Sequence, residues 1–302
     1  MSLSGPARGL LVVGDVVTDV VALHGSGLVH GTDNAARIRS LPGGAGANVA
    51  CWAVRSGCTE VALLARAGAG SAGWHRDALE RAGVRALLAV DAEVATATVI
   101  ALVDAAAERT FLTDSGAVTR LATDDFAPSM LDGAGWLHIS GYLLFAATSR
   151  ATALLALRTA RERGVPVSVD PASAGFLAEL GPKRFLEFAE GAELLLPNAD
   201  EARLLTGLPE PGDAAAELSR TFPRVVATLG DRGAVLAAGG AVTGRVHARP
   251  VRDPVDSTGA GDAFTGGFLA ALLAGADDRA AAAEGCRAGA EAVATVGGRP
   301  PA

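Results

Sequence analysis

Short aliphatic runs alternate along this chain with longer stretches of helical period. Leu10 to Val13, Val61 to Leu64, Trp136 to Ile139, Val165 to Val169, Leu194 to Leu196 and Val225 to Leu229 are apolar at most positions. Strands buried on both faces read this way. Helical patterns fall between them, over Ala45 to Arg55, Trp74 to Ala82, Ser149 to Arg163, Asp200 to Leu205 and Ala214 to Arg220. The alternation predicts a mostly parallel sheet with helices on both faces. In such sheets ligands sit at the carboxyl ends of the strands. Two segments break the rhythm. Val16 to Arg39 is rich in Gly, His and Asp and has no helix period. Thr96 to Thr113 reads as strand, turn, strand, with the turn near Ala105 to Glu108. Together they predict a small β-appendage over the open end of the sheet, placed to exclude water as a lid. The chain closes with an Ala-rich helix, roughly Asp277 to Thr295, and then Gly297-Gly298-Arg299-Pro300.

Composition narrows the field. Of 302 residues, 50% are hydrophobic and 20% charged, which fits an ordered globular protein. The longest apolar run, Ala263 to Ala276, is too short to span a bilayer. Asp15 and Asp19 interrupt the apolar stretch from Gly9 to Leu23, which suits a core strand better than a signal peptide. The expectation is a cytoplasmic protein. The net charge of −7, without a Lys/Arg run, argues against a nucleic-acid surface. Cys51, Cys58 and Cys286 form no C-x-x-C pair and are expected as buried thiols. Lys183 is the only lysine and no Walker loop exists. Any phosphate site must therefore use backbone donors, Arg or metal. His24, His30, His75, His138 and His247 show no metal-binding spacing, and His138 reads as a core histidine. Gly68-Ala69-Gly70-Ser71-Ala72-Gly73, with Asp91 and Glu93 about 20 residues on, is formally a dinucleotide fingerprint. It follows a later strand, whereas the first strand ends in Gly14-Asp15, so hydride transfer is disfavoured.

The strongest chemical signal runs from Asp253 to Phe268: DPVDSTGAGDAFTGGF. Gly259, Ala260 and Gly261 let backbone amides converge where a helix from Ala263 to Ala274 begins. A helix N-terminus carries partial positive charge and unpaired donors, hence an anion hole for a migrating phosphoryl group. Asp262 beside it would orient an acceptor hydroxyl and take its proton. The plainer alternative is that Asp262 caps the helix. Three further elements suit the first reading. Asn198 and Glu201 follow a strand and suit phosphates and Mg²⁺-bound water, or else simply start a helix. Thr228, Gly230 and Gly233 would let a nucleotide lie on backbone, or else form a plain turn. Gly43, Gly44 and Asn48 open a helix and would hold substrate hydroxyls, or else form an entry turn. Arg109, in the lid, is a candidate contact for a substrate carboxylate or phosphate, or a solvated turn residue.

In this order, over nearly the whole chain, these residues resemble the ribokinase or PfkB family of carbohydrate kinases. Gly14 to Asp19 resembles its first strand and substrate-binding Asp, which would be Asp19. Gly43 to Asn48 and Asp256 to Asp262 resemble its two signatures, and Asn198 to Glu201 its N-x-x-E element. The resemblance implies an α/β, ribokinase-like fold: three α/β/α layers, a mostly parallel central sheet and a small β-sheet lid. It implies one domain over 1–302 with lid segments at about 16–40 and 96–114. It also implies ATP, Mg²⁺ near Glu201, a monovalent cation such as K⁺ near Asp256 and Thr258, and a homodimer through the lid. The chain departs from the pattern at Ala45, where many relatives carry Lys, and at Gly68-Ala69-Gly70, where Gly-x-Asp is frequent. His138-Ile139-Ser140-Gly141 resembles 2-keto-3-deoxygluconate kinases, but Asp170-Pro171-Ala172-Ser173 lacks their Asn and Arg. The expected activity is phosphoryl transfer from ATP to a hydroxyl of a sugar-like molecule. Alternatives are a nucleoside kinase of the same fold and a non-catalytic sugar- or nucleotide-binding regulator.

Overall fold

The computed structural model describes residues 9–25, 27–104, 109–252 and 254–301. The chain runs β1 (Gly9–Val13), β2 (Val17–Leu23), β3 (Arg37–Gly43), α1 (Ala45–Arg55), β4 (Val61–Gly68), α2 (Ala72–Arg81), β5 (Arg85–Asp91), β6 (Ala97–Val103), β7 (Arg109–Asp114), β8 (Ala134–Ser140), α3 (Ala147–Glu162) and β9 (Val167–Asp170). It continues through α4 (Ala174–Leu180), α5 (Pro182–Ala189), β10 (Leu194–Leu195), α6 (Ala199–Thr206), α7 (Pro211–Leu218), β11 (Arg224–Thr228), β12 (Ala234–Ala238), β13 (Ala241–Val246), α8 (Ala260–Leu273) and α9 (Asp278–Ala292).

A nine-stranded sheet has the order β13-β12-β11-β10-β9-β8-β1-β4-β5 and is parallel from β11 to β5. β12 pairs antiparallel with both β11 and β13 at one edge. Period-two alternation assigns the core. Leu11 and Val13 of β1 join one buried cluster with Leu137, Ile139, Leu157 and Phe185. Leu10 and Val12 join the other with Trp136, Phe264 and Phe268. Both faces are covered, so every β1 residue is buried, as expected of a central parallel strand.

β3-β2-β6-β7 form a separate four-stranded sheet, with β2 and β6 parallel and the outer pairs antiparallel. This is the expected small β-sheet: β2, β6 and β7 lie inside the predicted segments, while β3 runs past the end of the first one to Gly43. The turn expected near Ala105 to Glu108 lies outside the described residues. The formal dinucleotide fingerprint serves the junction between sheet and lid. Gly68 N–H donates to Thr96 Oγ1 at 2.8 Å. Asp91 accepts Arg66 at 3.0 Å and Arg120 at 2.8 Å, and Arg120 also reaches Glu93 at 3.0 Å. Those acids tie the β5–β6 crossing. No helix among the described residues is long and apolar enough to cross a membrane.

Candidate active site

The carboxyl ends of β1 and β9, the start of α8 and the inner face of the lid enclose one cavity of about 840 Å³. Its lining includes Asp15, Asp19, Gly44, Asn48, Asp256, Thr258, Gly259, Gly261 and Asp262. Residues 30 to 250 positions apart in sequence meet here because both signatures end at helix N-termini on the same side of the sheet.

α8 begins at Ala260, with Gly259 as its cap at φ 72° and no side-chain cap. The Ala260 amide reaches the Ser257 carbonyl at 3.3 Å. Those of Gly261 and Asp262 have no acceptor among the described residues. Asp262 is therefore not the cap that the plainer alternative required. It is half-buried, and its Oδ2 accepts a hydrogen bond from Asn48 Nδ2 at 2.8 Å. Burial, relieved by Asn48 and reinforced by Asp170, Asp15 and Asp19, pushes its pKa up to about 8. An ordinary Asp titrates near 4, so this environment makes Asp262 a far better proton acceptor than its residue type suggests.

Asp19, on β2, lies against Gly43 of β3. A Cβ on Gly43 would sit 2.0 Å from Asp19 Oδ2, so only glycine leaves room for that carboxylate. Burial and Asp15 raise the Asp19 pKa to about 6, while Arg299 acts to lower it. Asp15 is a site residue that the sequence reading left without a role. Its Oδ2 accepts from Ala45 N at 2.8 Å, and its Oδ1 from Gly46 N at 3.0 Å and Ser140 Oγ at 2.8 Å. Asp15 thus caps α1 from a distance, because Gly44 at the cap, φ 100°, has no side chain to do so. The signal was present as a second Asp four residues before Asp19.

Asn198 and Glu201 form a reciprocal capping box on α6. Asn198 Oδ1 accepts from the amides of Asp200 and Glu201 at 2.9 Å each, and Glu201 Oε2 accepts from Asn198 N at 2.9 Å. Glu201 is only 2% exposed, so the helix-start reading is realised. Burial nevertheless holds its pKa up at about 7, with Asp200 and Asp262 adding to the effect. Asp170, at the end of β9, is another acid the sequence reading did not assign. It rises to about 8 through burial and Glu201. Among the described residues no three or more His, Cys, Asp or Glu side chains converge to hold a metal unaided. Asp170, Glu201 and Asp262, each pushed up by burial and by neighbouring acids, still fit a Mg²⁺ that arrives on nucleotide phosphates and keeps most of its waters.

Thr228 ends β11 and bridges to Asn198, and Gly230 faces open space. Gly233 is buried against the Val246 carbonyl, 2.0 Å from where its Cβ would be, so its place is inside the turn. Asp256 accepts from Thr258 N at 2.8 Å and Gly297 N at 2.9 Å, tying the signature loop to the C-terminal segment. The Arg109 side chain lies outside the described residues. His138 is a core histidine: Nδ1 and Trp136 Nε1 both meet Ser168 Oγ at 2.9 Å. Trp52 and Trp136 pack in the interior, whereas Trp74 is 37% exposed.

Comparisons with known proteins bear on the family and the fold. The family model described as "pfkB family carbohydrate kinase" matches residues 7–302. A fructokinase of Klebsiella pneumoniae is 32% identical over 277 residues, 87% of this chain and 84% of that protein. An aminoimidazole riboside kinase of Salmonella typhimurium is 32% identical over 242 residues, 76% of this chain and 73% of that one. Among solved structures, adenosine kinase from Sinorhizobium meliloti superposes with a TM-score of 0.86 at 21% identity, covering 98% of this chain and 97% of that one. A putative ribokinase II from E. coli, in complex with ATP and Mg²⁺, gives 0.84 at 23%, covering 96% and 94%. The last two likenesses establish the ribokinase-like fold; the family match over nearly the full length establishes more, and this chain belongs to the pfkB family of carbohydrate kinases.

Proposed function

We propose that this carbohydrate kinase moves the γ-phosphate of ATP to a primary hydroxyl of a sugar or sugar-like acceptor, with Asp262 as the base. The observation that carries the reading is the shared cavity of the Asp262 carboxylate and the uncapped start of α8. The acceptor O–H gives its proton to Asp262 while its oxygen bonds to the γ-phosphorus. The bond from that phosphorus to the β–γ bridging oxygen breaks, and the electron pair leaves with ADP. The amides at Gly259 and Gly261, joined by that of Asp262, stabilise the charge on the migrating group; the Ala260 amide is engaged by the Ser257 carbonyl at 3.3 Å. Asp19, Gly43, Gly44 and Asn48 hold the acceptor, with Arg109 as a further candidate. Asn198, Thr228 and Gly230 flank the nucleotide, while Gly233, buried against the Val246 carbonyl, only shapes the turn. Glu201 would hold a Mg²⁺ through water, and that ion would supply positive charge against the nucleotide's phosphates. The two amide bonds of Asp256 shape a loop suited to a monovalent cation at Asp256 and Thr258.

A second reading, a nucleoside acceptor, is favoured by one feature of the same cavity. Tyr142, Phe145 and Phe176 line it, with the two Phe rings stacked at 5.3 Å between centroids and Tyr142 edge-on at 6.0–6.3 Å. A planar base would find aromatic contact there. ADP release with D-fructose, D-ribose, 2-keto-3-deoxygluconate, adenosine and inosine separates the readings. Turnover of none of these, with ATP still bound, would favour the non-catalytic regulator.

The lid supports a homodimer. Val17, Asp19, Val21, Leu41, Val99, Phe111 and Thr113 face the cavity, so alternation sends Ile38, Ile100, Leu102 and Leu112 to the outer face. Ile38 is 63% and Leu112 55% exposed. A sheet apolar on both faces calls for a partner, and a second lid supplies the same chemistry.

A further inference from the structure

The C-terminal segment was legible in the sequence only as a trailing Gly-Gly-Arg-Pro, yet it passes through the centre of the site. Gly297 N–H donates to Asp256. The Gly298 carbonyl accepts from Trp52 Nε1 at 2.9 Å. A Cβ on Gly298 would lie 2.3 Å from Asn48 Nδ2, and one on Gly259 would lie 2.5 Å from Gly298 Cα. The segment is thus wedged between the anion hole and the residue that bonds Asp262. Arg299 follows. Its Nη2 donates to the Gly43 carbonyl at 3.2 Å, on the β3 residue that packs against Asp19. Its Nε and Nη1 are buried without a hydrogen-bond partner among the described residues.

A guanidinium with one nitrogen paired and two buried nitrogens unpaired is costly for stability alone. Its charge does act on its surroundings. It opposes the upward push that burial, Asp15 and Asp256 exert on Asp19. It adds to the burial that keeps His75 neutral, and His75 in turn meets Thr18 Oγ1 at 3.1 Å, next to Asp19. Arg299 is not among the residues lining the cavity, so it acts on the acceptor through others.

We propose that Arg299 is a positioning residue for the acceptor: from the C-terminal segment it fixes the Gly43 carbonyl and supplies the positive charge behind the Asp19 carboxylate. The proposal rests on the reading of Asp19 as an acceptor-binding residue. Asp19 accepts hydroxyl hydrogen bonds best as a carboxylate. Without Arg299 its protonation extends to higher pH, and acceptor binding weakens first on the acid side.

The test is a mutant cycle of Arg299→Met, Arg299→Lys, Asp19→Asn and the double variant Asp19→Asn/Arg299→Met. The acceptor is whichever of D-fructose, D-ribose and inosine the parent turns over fastest. Arg299→Met should raise acceptor KM at least tenfold, with ATP KM within about twofold and kcat within about threefold. The acid limb of kcat/KM for the acceptor should move to higher pH. Arg299→Lys, which keeps the charge, should recover most of both effects. The double variant should be no worse than Asp19→Asn. Equal losses for Met and Lys variants with an unmoved acid limb, or multiplicative losses in the double variant, would make Arg299 a merely structural residue and overturn the proposal. If Asp19→Asn itself leaves acceptor KM unchanged, the Asp19 reading falls and the proposal falls with it. A raised KM in Asp19→Asn alone sinks the proposal and leaves that reading standing.

Discussion

Replacing Asn48 with Leu should move the pH dependence of the reaction, because among the described residues Asn48 is the one side chain that holds the Asp262 carboxylate. The Nδ2–Oδ2 bond of 2.8 Å stabilises the ionised form and lowers a pKa that burial and three acids push up. A hydrogen bond to a charged group contributes about 1.5–3 kcal/mol, and one pKa unit corresponds to about 1.4 kcal/mol. Losing the bond should therefore raise the Asp262 pKa by roughly one unit or more. In the parent, kcat/KM should climb with pH and bend near pH 8, the inflection belonging to Asp262 with its acidic neighbours. In Asn48→Leu the bend should move up by about a unit, and at pH 7 the rate should fall roughly tenfold. Leu is close in volume, and Asn48 Oδ1 already lies buried without a partner, so the loss of fold stability should be small. The assay is initial rate of ADP release from pH 6 to 10, with thermal melting as a control. An unmoved bend, with the rate merely scaled down, would show that Asn48 does not tune Asp262.

Other outcomes follow from the same geometry. Asp19, Glu201, Asp170 and Asp262 all have raised pKa values, from about 6 to about 8. Above about pH 6.5, where His75 and His138 are neutral in either state, the ligand-free fold thus binds more protons than the unfolded chain, and stability falls as pH rises. Melting of the free protein should drop by a few degrees from about pH 6.5 to pH 8, and Mg²⁺ with ATP should raise it more at pH 8 than at about pH 6.5; a flat or rising curve contradicts the acidic cluster. Gly43→Ala should displace the Asp19 carboxylate and raise acceptor KM at least roughly tenfold, leaving ATP KM near the parent value; equal effects on both substrates would count against it. Leu112→Asp on the outer lid face should give monomers in light scattering if the parent is a dimer, and a parent that is already monomeric removes the lid interface.

What the sequence disclosed depends on how each element is buried. The central strands were legible because both faces are covered, which leaves short apolar runs such as Leu10 to Val13 and Val61 to Leu64. The edge hairpin β12–β13 was not, since Ala234 to Val246 is dominated by Ala and Gly and its outer strand is largely exposed. Short α4 and α5 follow a Pro-containing loop and lack a long period. In the site, both glycine signatures were visible as local patterns. Asp15 and Asp170 were not assigned, because their roles depend on contacts with α1, Ser140 and Glu201 made only on folding. The basicity of Asp262 was invisible for the same reason: Asp15 and Asp19, Asp170 and Asp262 come from three separate stretches of the chain and become neighbours only on folding. Arg299 needed the fold to show that a chain end crosses the site.

The most direct test of the account is Asp262→Asn, which nearly preserves shape and removes the proton acceptor. ATP affinity, read by titration calorimetry with Mg²⁺, should stay within a few-fold of the parent, while kcat for the preferred acceptor falls at least about 10²-fold. A variant that binds ATP and turns over at the parent rate would contradict the claim that Asp262 takes the acceptor's proton.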